Sequence, residues 1–223
     1  MDIVTGKEVT ITFDGKRCVH SRNCVLSHPE VFVPNVEGAW IFPDTASAET
    51  VLRIGFTCPS GAIRVSRNDG GAGSEVPPVV NTVRVRENGP LAFDAPMVVA
   101  GQVDVSVRAM LCRCGASANK PYCDGRHVAA GFQATGEPAV KESAALAARD
   151  GVIEVAPKLN GPLRVTGNLE VVSGTGRTVN RATRMFLCRC GHSATKPYCD
   201  GSHVGAGFEG GSVCLPVPSL MIA

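Results

Sequence analysis

Aromatic residues are scarce in this chain, at 5%, which argues against a large aromatic-rich core. Charge of neither sign is in excess: 22 Lys and Arg face 20 Asp and Glu, a formal net charge of +2. So small an imbalance, with arginines scattered rather than clustered, leaves no electrostatic footprint for nucleic acid or an acidic membrane surface. No stretch approaches the roughly 18 consecutive apolar residues of a membrane helix. The apolar tail VCLPVPSLMIA is short and broken by prolines. The first residues, MDIVTGKEVTITF, lack the basic-then-apolar pattern of an export signal and read as strand. A cytoplasmic location is therefore the default expectation. A nucleophile–base pair, a phosphate loop and a dinucleotide fingerprint are also missing, so an enzyme is not expected.

What the chain has in quantity is cysteine. Ten cysteines stand at positions 18, 24 and 58, then 112, 114 and 123, then 188, 190 and 199, with Cys214 left over. Disulfides have no use for triplets, and a chain without an export signal is expected to keep its thiols reduced. Metal or cluster ligation is the reading that follows. With 223 residues, 44% of them hydrophobic, the chain holds one large domain or two to three small ones, and 25 Gly with 15 Pro point to short elements and many turns.

The organisation comes from a repeat. LCRCGASANKPYCDGRHVAAGF at 111–132 matches LCRCGHSATKPYCDGSHVGAGF at 187–208 at 18 of 22 positions. The differences are Ala116/His192, Asn119/Thr195, Arg126/Ser202 and Ala129/Gly205. NGPL recurs at 88–91 and 160–163, so the repeated unit is longer than the motif. Two copies suggest two paired domains rather than a solenoid. VRVR at 83–86 and VDVSVR at 103–108 alternate as strands do, and VIEV at 152–155 with LEVV at 169–172 read as their counterparts. AVKESAALAARDG at 139–151 is either a short helix or a linker. Before the repeats, VTITF at 9–13 and AIRV at 62–65 read as strands. A helix capped by Asp44 is expected over about 45–55. NDGGAGSEVPP at 68–78 is a linker by composition. The domains expected are 1–75, 76–138 and 139–223.

Each repeat offers four metal donors: Cys112, Cys114, Cys123 and His127, then Cys188, Cys190, Cys199 and His203. Cysteines at i and i+2 can chelate one ion, and a Cys and a His at i and i+4 share a face if a helix starts there. Asp124 and Gly125 suit such a start, and a thiolate at a helix N-terminus would be favoured. Ser117 is placed to donate a hydrogen bond to a sulfur. On ligand type alone, a closed Cys3His zinc site and a mixed-ligand iron–sulfur cluster stand level.

The pattern C-x-C-x2-S-x3-P-x-C-D-G-x-H resembles the signature of the CDGSH iron–sulfur, or NEET, family, and both copies match every specified position. The resemblance spans roughly residues 80–210. It implies a [2Fe–2S] cluster in each copy, Cys112 and Cys114 on one iron with Cys123 and His127 on the other, and likewise Cys188 and Cys190 with Cys199 and His203. It also implies two β-rich domains paired with pseudo-twofold symmetry, like a fused dimer, and hence a monomer. One neutral histidine in place of a thiolate raises the reduction potential. Because the ligating nitrogen must be unprotonated, mild acid is expected to destabilise both clusters, and His127→Cys to make the first more resistant.

The first triplet differs. RCVHSRNC at 17–24 and CP at 58–59 place Cys18, Ser21 and Cys24 at the positions of a ferredoxin C-x2-C-x2-C run with a distant C-P. Residues 8–66, with HPEVF at 28–32 and CPSGAI at 58–63, resemble the divergent mono-cluster ferredoxin domain. That resemblance implies a ferredoxin-like α+β domain whose Cys18, Cys24 and Cys58 hold a [3Fe–4S] cluster, or a [4Fe–4S] cluster with a fourth ligand such as His20 or Ser21. His28 reads as structural, His192 as a surface residue or one touching a ligand, and Cys214 as a buried inert thiol. The expected whole is an α+β iron–sulfur protein with three centres, an electron carrier for an unidentified redox partner protein, with no nucleic acid and no membrane involved. Cluster storage or delivery, redox or pH sensing, and a zinc-held scaffold are the alternatives.

Overall fold

A computed structural model describes residues 1–102 and 106–211. Its strands are β1 (Asp2–Thr5), β2 (Val9–Phe13), β3 (Ile63–Arg67), β4 (Thr82–Val85), β5 (Leu91–Val99), β6 (Ser106–Leu111), β7 (Ile153–Pro157), β8 (Leu163–Val172) and β9 (Thr178–Leu187). Its α-helices, all short, are α1 (Asn23–Ser27), α2 (Ala48–Thr57) and α3 (Ser202–Gly205). The mixture is α+β, dominated by strand. Cys214 lies outside the described residues, as do Val103–Val105 of the expected strand 103–108.

The first 67 residues form an antiparallel sheet in the order β1-β2-β3, with α2 packed against β3. Helix α2 buries Ala48, Val51, Leu52, Ile54 and Gly55, a spacing that puts one apolar face on Val9, Ile11 and Val65 of the sheet. Its cap is Ser47, whose hydroxyl accepts from the Thr50 N–H at 3.3 Å. The expected cap, Asp44, instead accepts from the Lys7 N–H at 2.7 Å, because the chain turns through Pro43–Thr45 before the helix begins. The segment 68–78 is held at its Ser74. That residue is fully buried, accepts from the Val65 N–H at 2.9 Å, and packs where any side chain on Gly55 would collide with it.

The remaining six strands make one sheet around one core. Val83 and Val85 of β4 point inward while Thr82 and Arg84 face out, the period-two pattern read from the sequence. Strand β4 pairs antiparallel with β5 and parallel with β8, while β7 pairs antiparallel with β8 and parallel with β5. Each unit's first strand therefore bridges to the long strand of the other unit, and the four strands close a ring. Register shifts at Asp94/Met97 in β5 and Thr166/Leu169 in β8 bend the long strands from one partner to the next. Strands β6 and β9 flank β5 and β8. Leu91, Met97 and Leu111 of one unit and Ile153, Leu163 and Leu187 of the other lie in the same buried cluster. Each such side chain contributes about 1.5–3 kcal/mol on burial, so the shared cluster holds the two repeats to each other.

Two expectations change here. LEVV at 169–172 is the far half of β8, the counterpart of β5; the second unit's counterpart of β6 is β9, and neither β5 nor β9 is among the strands expected from the sequence. The segment 139–151 holds no helix, since it lacks an apolar stripe to bury; instead the Lys141 N–H donates to the Val179 carbonyl at 2.8 Å and Ser143 accepts from the Arg181 N–H. Among the described residues, no helix is long and apolar enough to cross a membrane.

Candidate metal centres

Each C-R-C turn follows directly on a strand that ends at Leu111 or Leu187, and an isolated antiparallel bridge joins Cys114 to Cys190. The backbones meet closely there. A Cβ on Gly115 would lie 2.5 Å from the Cys190 carbonyl oxygen, and one on Gly191 2.5 Å from that of Cys114. Both glycines also have φ near +85°, so the position requires glycine twice over.

In each copy the four expected donors stand as two pairs. The sulfurs of Cys112 and Cys114 are 3.7 Å apart, as are those of Cys188 and Cys190. Cys123 Sγ lies 3.4 Å from His127 Nδ1, and Cys199 Sγ 3.4 Å from His203 Nδ1. Backbone N–H groups point at the sulfurs: Ala116 at Cys114, Gly125 at Cys123 and His192 at Cys190, each at 3.4 Å. Such donors stabilise a thiolate. The hydrogen bond from the Cys114 thiol pulls the Cys112 pKa down to about 6 despite burial, and that same bond, with burial, pushes Cys114 upward. Burial raises Cys123 to about 11, raises Cys190, and lowers His127, which keeps that ring neutral and able to donate a lone pair. Among the described residues, no three His, Cys, Asp or Glu side chains gather closely enough to share one ion. Donors arranged two and two suit a centre with two metal atoms.

The loop between the pairs is fixed by hydrogen bonds. Asp124 Oδ2 accepts from the Ala118 N–H and Asp200 Oδ2 from the Ala194 N–H, both at 2.8 Å. Burial opposes ionisation of Asp124, but the N–H groups of Ala118 and Arg126 outweigh it and hold the carboxyl below its ordinary range. Ser117 does not reach a sulfur through its hydroxyl. It donates to the Tyr122 carbonyl at 2.6 Å, and it is the Ser117 backbone that serves Cys112. No helix starts at either ligand cysteine: residues 126–131 are turns, and α3 begins only after Gly201, whose φ is +92°. Cysteine and histidine meet through this left-handed glycine.

Sequence reading missed the middle residue of C-R-C. Arg113 and Arg189 are each 1% exposed. Arg113 donates to the carbonyls of Gly89, Arg86, Ala134 and Thr135, and Arg189 to those of Gly161, Lys158, Gly210 and Gly211. Phe132 and Phe208 cover them, with ring centres 5.3 and 5.2 Å from the guanidinium carbons. Burial lowers the Arg113 pKa to about 10, still charged at neutral pH. The identity of this arginine in both copies was the available signal.

Cys18, Cys24 and Cys58 line one pocket, with Phe13, Ser21, Ile54 and Ser60 on its wall. Burial raises the pKa of Cys18 and of Cys24, and the neighbouring thiols add to it. Sulfurs again face backbone donors, the His20 N–H at Cys18 and the Ile63 N–H at Cys58, both at 3.4 Å. Ser21 belongs to this wall; the His20 side chain does not, and it is exposed. His28 pairs with Glu30 at 3.1 Å, and the His192 side chain is exposed.

Comparison with known proteins accords with this geometry. The family described as iron-binding zinc finger, CDGSH type, matches residues 84–128 and 160–204. The family described as divergent 4Fe-4S mono-cluster matches residues 4–68. The uncharacterized protein YjdI of Escherichia coli K12 is 38% identical over 61 residues, 27% of this chain and 78% of that protein, and YjdI of Escherichia coli O157:H7 matches equally. The chain binds iron–sulfur cofactors and belongs to the CDGSH iron–sulfur family as a member with two motifs, preceded by a divergent mono-cluster domain.

Proposed function

We propose that this chain is a one-electron carrier with three iron–sulfur centres. The observation that carries the reading is the two-and-two grouping of donors, 3.7 Å between sulfurs and 3.4 Å from sulfur to imidazole, repeated in both copies. Cys112 and Cys114 hold one iron of a [2Fe–2S] centre and Cys123 and His127 the other, and the second copy does the same with Cys188, Cys190, Cys199 and His203. Cys18, Cys24 and Cys58 hold a [3Fe–4S] or [4Fe–4S] centre in a ferredoxin-like domain, with Ser21 placed on the pocket wall as a fourth donor. A bound centre supplies a reversible one-electron store. The protein's residues hold it, aim N–H groups at its sulfurs and, by using one neutral imidazole, lessen the negative charge around it.

The reciprocal pairing of β4 with β8 and β5 with β7 supports a pseudo-twofold relation between domains at 76–138 and 139–223, after a first domain at 1–75, in a monomer. The nine described cysteines, all free, fit a cytoplasmic, reducing setting, with a redox partner protein rather than a substrate at the other end. Iron, acid-labile sulfide and zinc analysis with visible absorption, then anaerobic EPR, tests the reading. Three distinct paramagnetic centres support it, and a colourless protein with stoichiometric zinc overturns it. One feature favours cluster delivery as a second reading: among the described residues, nothing lies within 4 Å of a Cβ placed on Gly201, two residues before His203. Rapid transfer from the second centre to an apo-ferredoxin would support that alternative.

A further inference from the structure

The N-terminal domain is not loosely tethered to the repeats; it is docked on the first one. Arg17, next to Cys18, is 3% exposed and donates to Ser106 Oγ and to the Arg108 carbonyl, the latter at 2.7 Å. Its guanidinium carbon lies 5.4 Å from the ring centre of Tyr122, the residue before Cys123. Arg108 returns the contact, donating to the Phe56 carbonyl and pairing with Glu75. Gly61 lies against this seam, and a Cβ there would stand 2.6 Å from the Arg108 carbonyl oxygen. At the edge of the seam the two ligand loops meet. A Cβ on Gly125 would be 3.6 Å from the Val19 carbonyl oxygen. Val19 is one residue from Cys18 and Gly125 two from Cys123, so at about 3.8 Å per residue the Cα atoms of the two cysteines are at most roughly 20 Å apart.

Resting on the function proposed above, we infer that Arg17 seats the N-terminal centre against the Cys123–His127 edge of the first repeat, so that the three centres stand in a row with the first repeat in the middle. The other edge of the first repeat, at Cys114, is bridged to Cys190 of the second. Among the described residues, the second repeat's own Cys–His edge has no such neighbour: Gly201 faces none of their atoms within 4 Å, and its tyrosine, Tyr198, is covered by Lys141 at 3.7 Å rather than by a cluster domain. One electron passing along the row oxidises the N-terminal centre by one and reduces the first repeat centre by one; no bond forms or breaks. Arg17 contributes a buried positive charge between two sites that become more negative on reduction, and it acts as a positioning residue for both.

The test is low-temperature EPR, in perpendicular and parallel mode so that a reduced [3Fe–4S] as well as a reduced [4Fe–4S] centre is seen, of the anaerobic, dithionite-reduced full chain, with iron and sulfide measured on every sample. In the native protein the N-terminal signal should be broadened and hard to saturate. Cys123→Ala should sharpen it and lower its half-saturation power several-fold, whereas Cys199→Ala should leave it as in the native protein. Arg17→Ala, with iron content retained, should lose most of the coupling, and Arg17→Lys should recover part of it. An N-terminal signal that is the same in native protein, Cys123→Ala and Arg17→Ala overturns the row while leaving the iron–sulfur function standing. If Cys123→Ala does not fold, Arg17→Ala decides alone. Absence of iron and sulfide from the native protein sinks the function itself, and the row with it.

Discussion

The two CDGSH motifs are nearly the same in sequence and the same in donor geometry, yet they live in different places. The 3.7 and 3.4 Å donor pairs, the aspartate that accepts from the loop N–H, and the buried C-R-C arginine recur without change. What differs is who stands next to them. Tyr122 donates to Gln102 at 2.7 Å and lies under Arg17 of the N-terminal domain, while Tyr198 lies under Lys141 of the segment that joins the repeats. Gly125 meets Val19, and Gly201 meets none of the described residues within 4 Å. Asp124 faces Arg126 at 3.5 Å, where Asp200 accepts from the Ser202 hydroxyl at 2.7 Å. Duplicated donors thus keep one geometry in two unequal surroundings, and on the proposed reading those surroundings would set the two centres apart.

What is shared between the copies breaks most severely. Arg113→Met and Arg189→Met each strand four carbonyls around a vanished buried cation, and each should cost about 3–5 kcal/mol; denaturant melts of both variants should agree, and a large gap between them would show that the scaffolds are not equivalent. Next comes the ligand that titrates. Proton competition for the imidazole Nδ1 should bleach both native repeat centres in mild acid. His127→Cys should leave only the second bleaching there, and His203→Cys only the first, as followed by visible absorption; a His127→Cys centre that fades as fast as the native one would refute histidine as the acid-labile ligand.

A smaller effect separates the two surroundings. Gly125→Leu and Gly201→Leu both place a side chain at positive φ, about 1–2 kcal/mol of strain each, but only the first wedges a side chain against Val19, for about 1 kcal/mol more. Equal melting shifts for the pair would remove the asymmetry. The slightest change concerns Glu170, which is 1% exposed at the seam between β8 and β4, with no acidic counterpart on β5. Burial works against its charge, but Arg149 Nε at 2.7 Å, Thr178 and Arg181 win and keep its pKa below the ordinary value. A depressed carboxyl pKa adds stability that is present above the unfolded value of about 4.3 and lost as pH falls through the folded one. Stability measured from pH 5 downward should therefore fall less steeply in Glu170→Gln than in the native chain.

Much of this was legible in the chain itself. Alternation found β2, β3, β4 and β7, because a half-buried strand writes its environment every second residue. Strands β5 and β9 escaped. β5 carries Asp94 and Pro96 within a doubly partnered strand, and β9 is polar over Asn180–Arg184. The cap on α2 was misplaced by three residues because Asp44 and Ser47 are equally good caps in sequence, and only the turn through Pro43 decides between them. Ser117 does donate to a sulfur, that of Cys112, but through its backbone N–H, since its hydroxyl takes the nearest carbonyl, that of Tyr122.

The sequence by itself determined the kind of chemistry. Thiols and imidazoles at fixed short spacings chelate through local turns, and the repeat announced two such sites. The tertiary structure decided how many neighbours each site has. It threaded β4 and β7 into the opposite unit, sharing one core, and it pressed the Cys18 loop on the first motif alone. Those contacts join residues as much as 106 positions apart, Gly125 with Val19. Local propensity carries no record of such pairings, which are set by the burial of the joined surfaces.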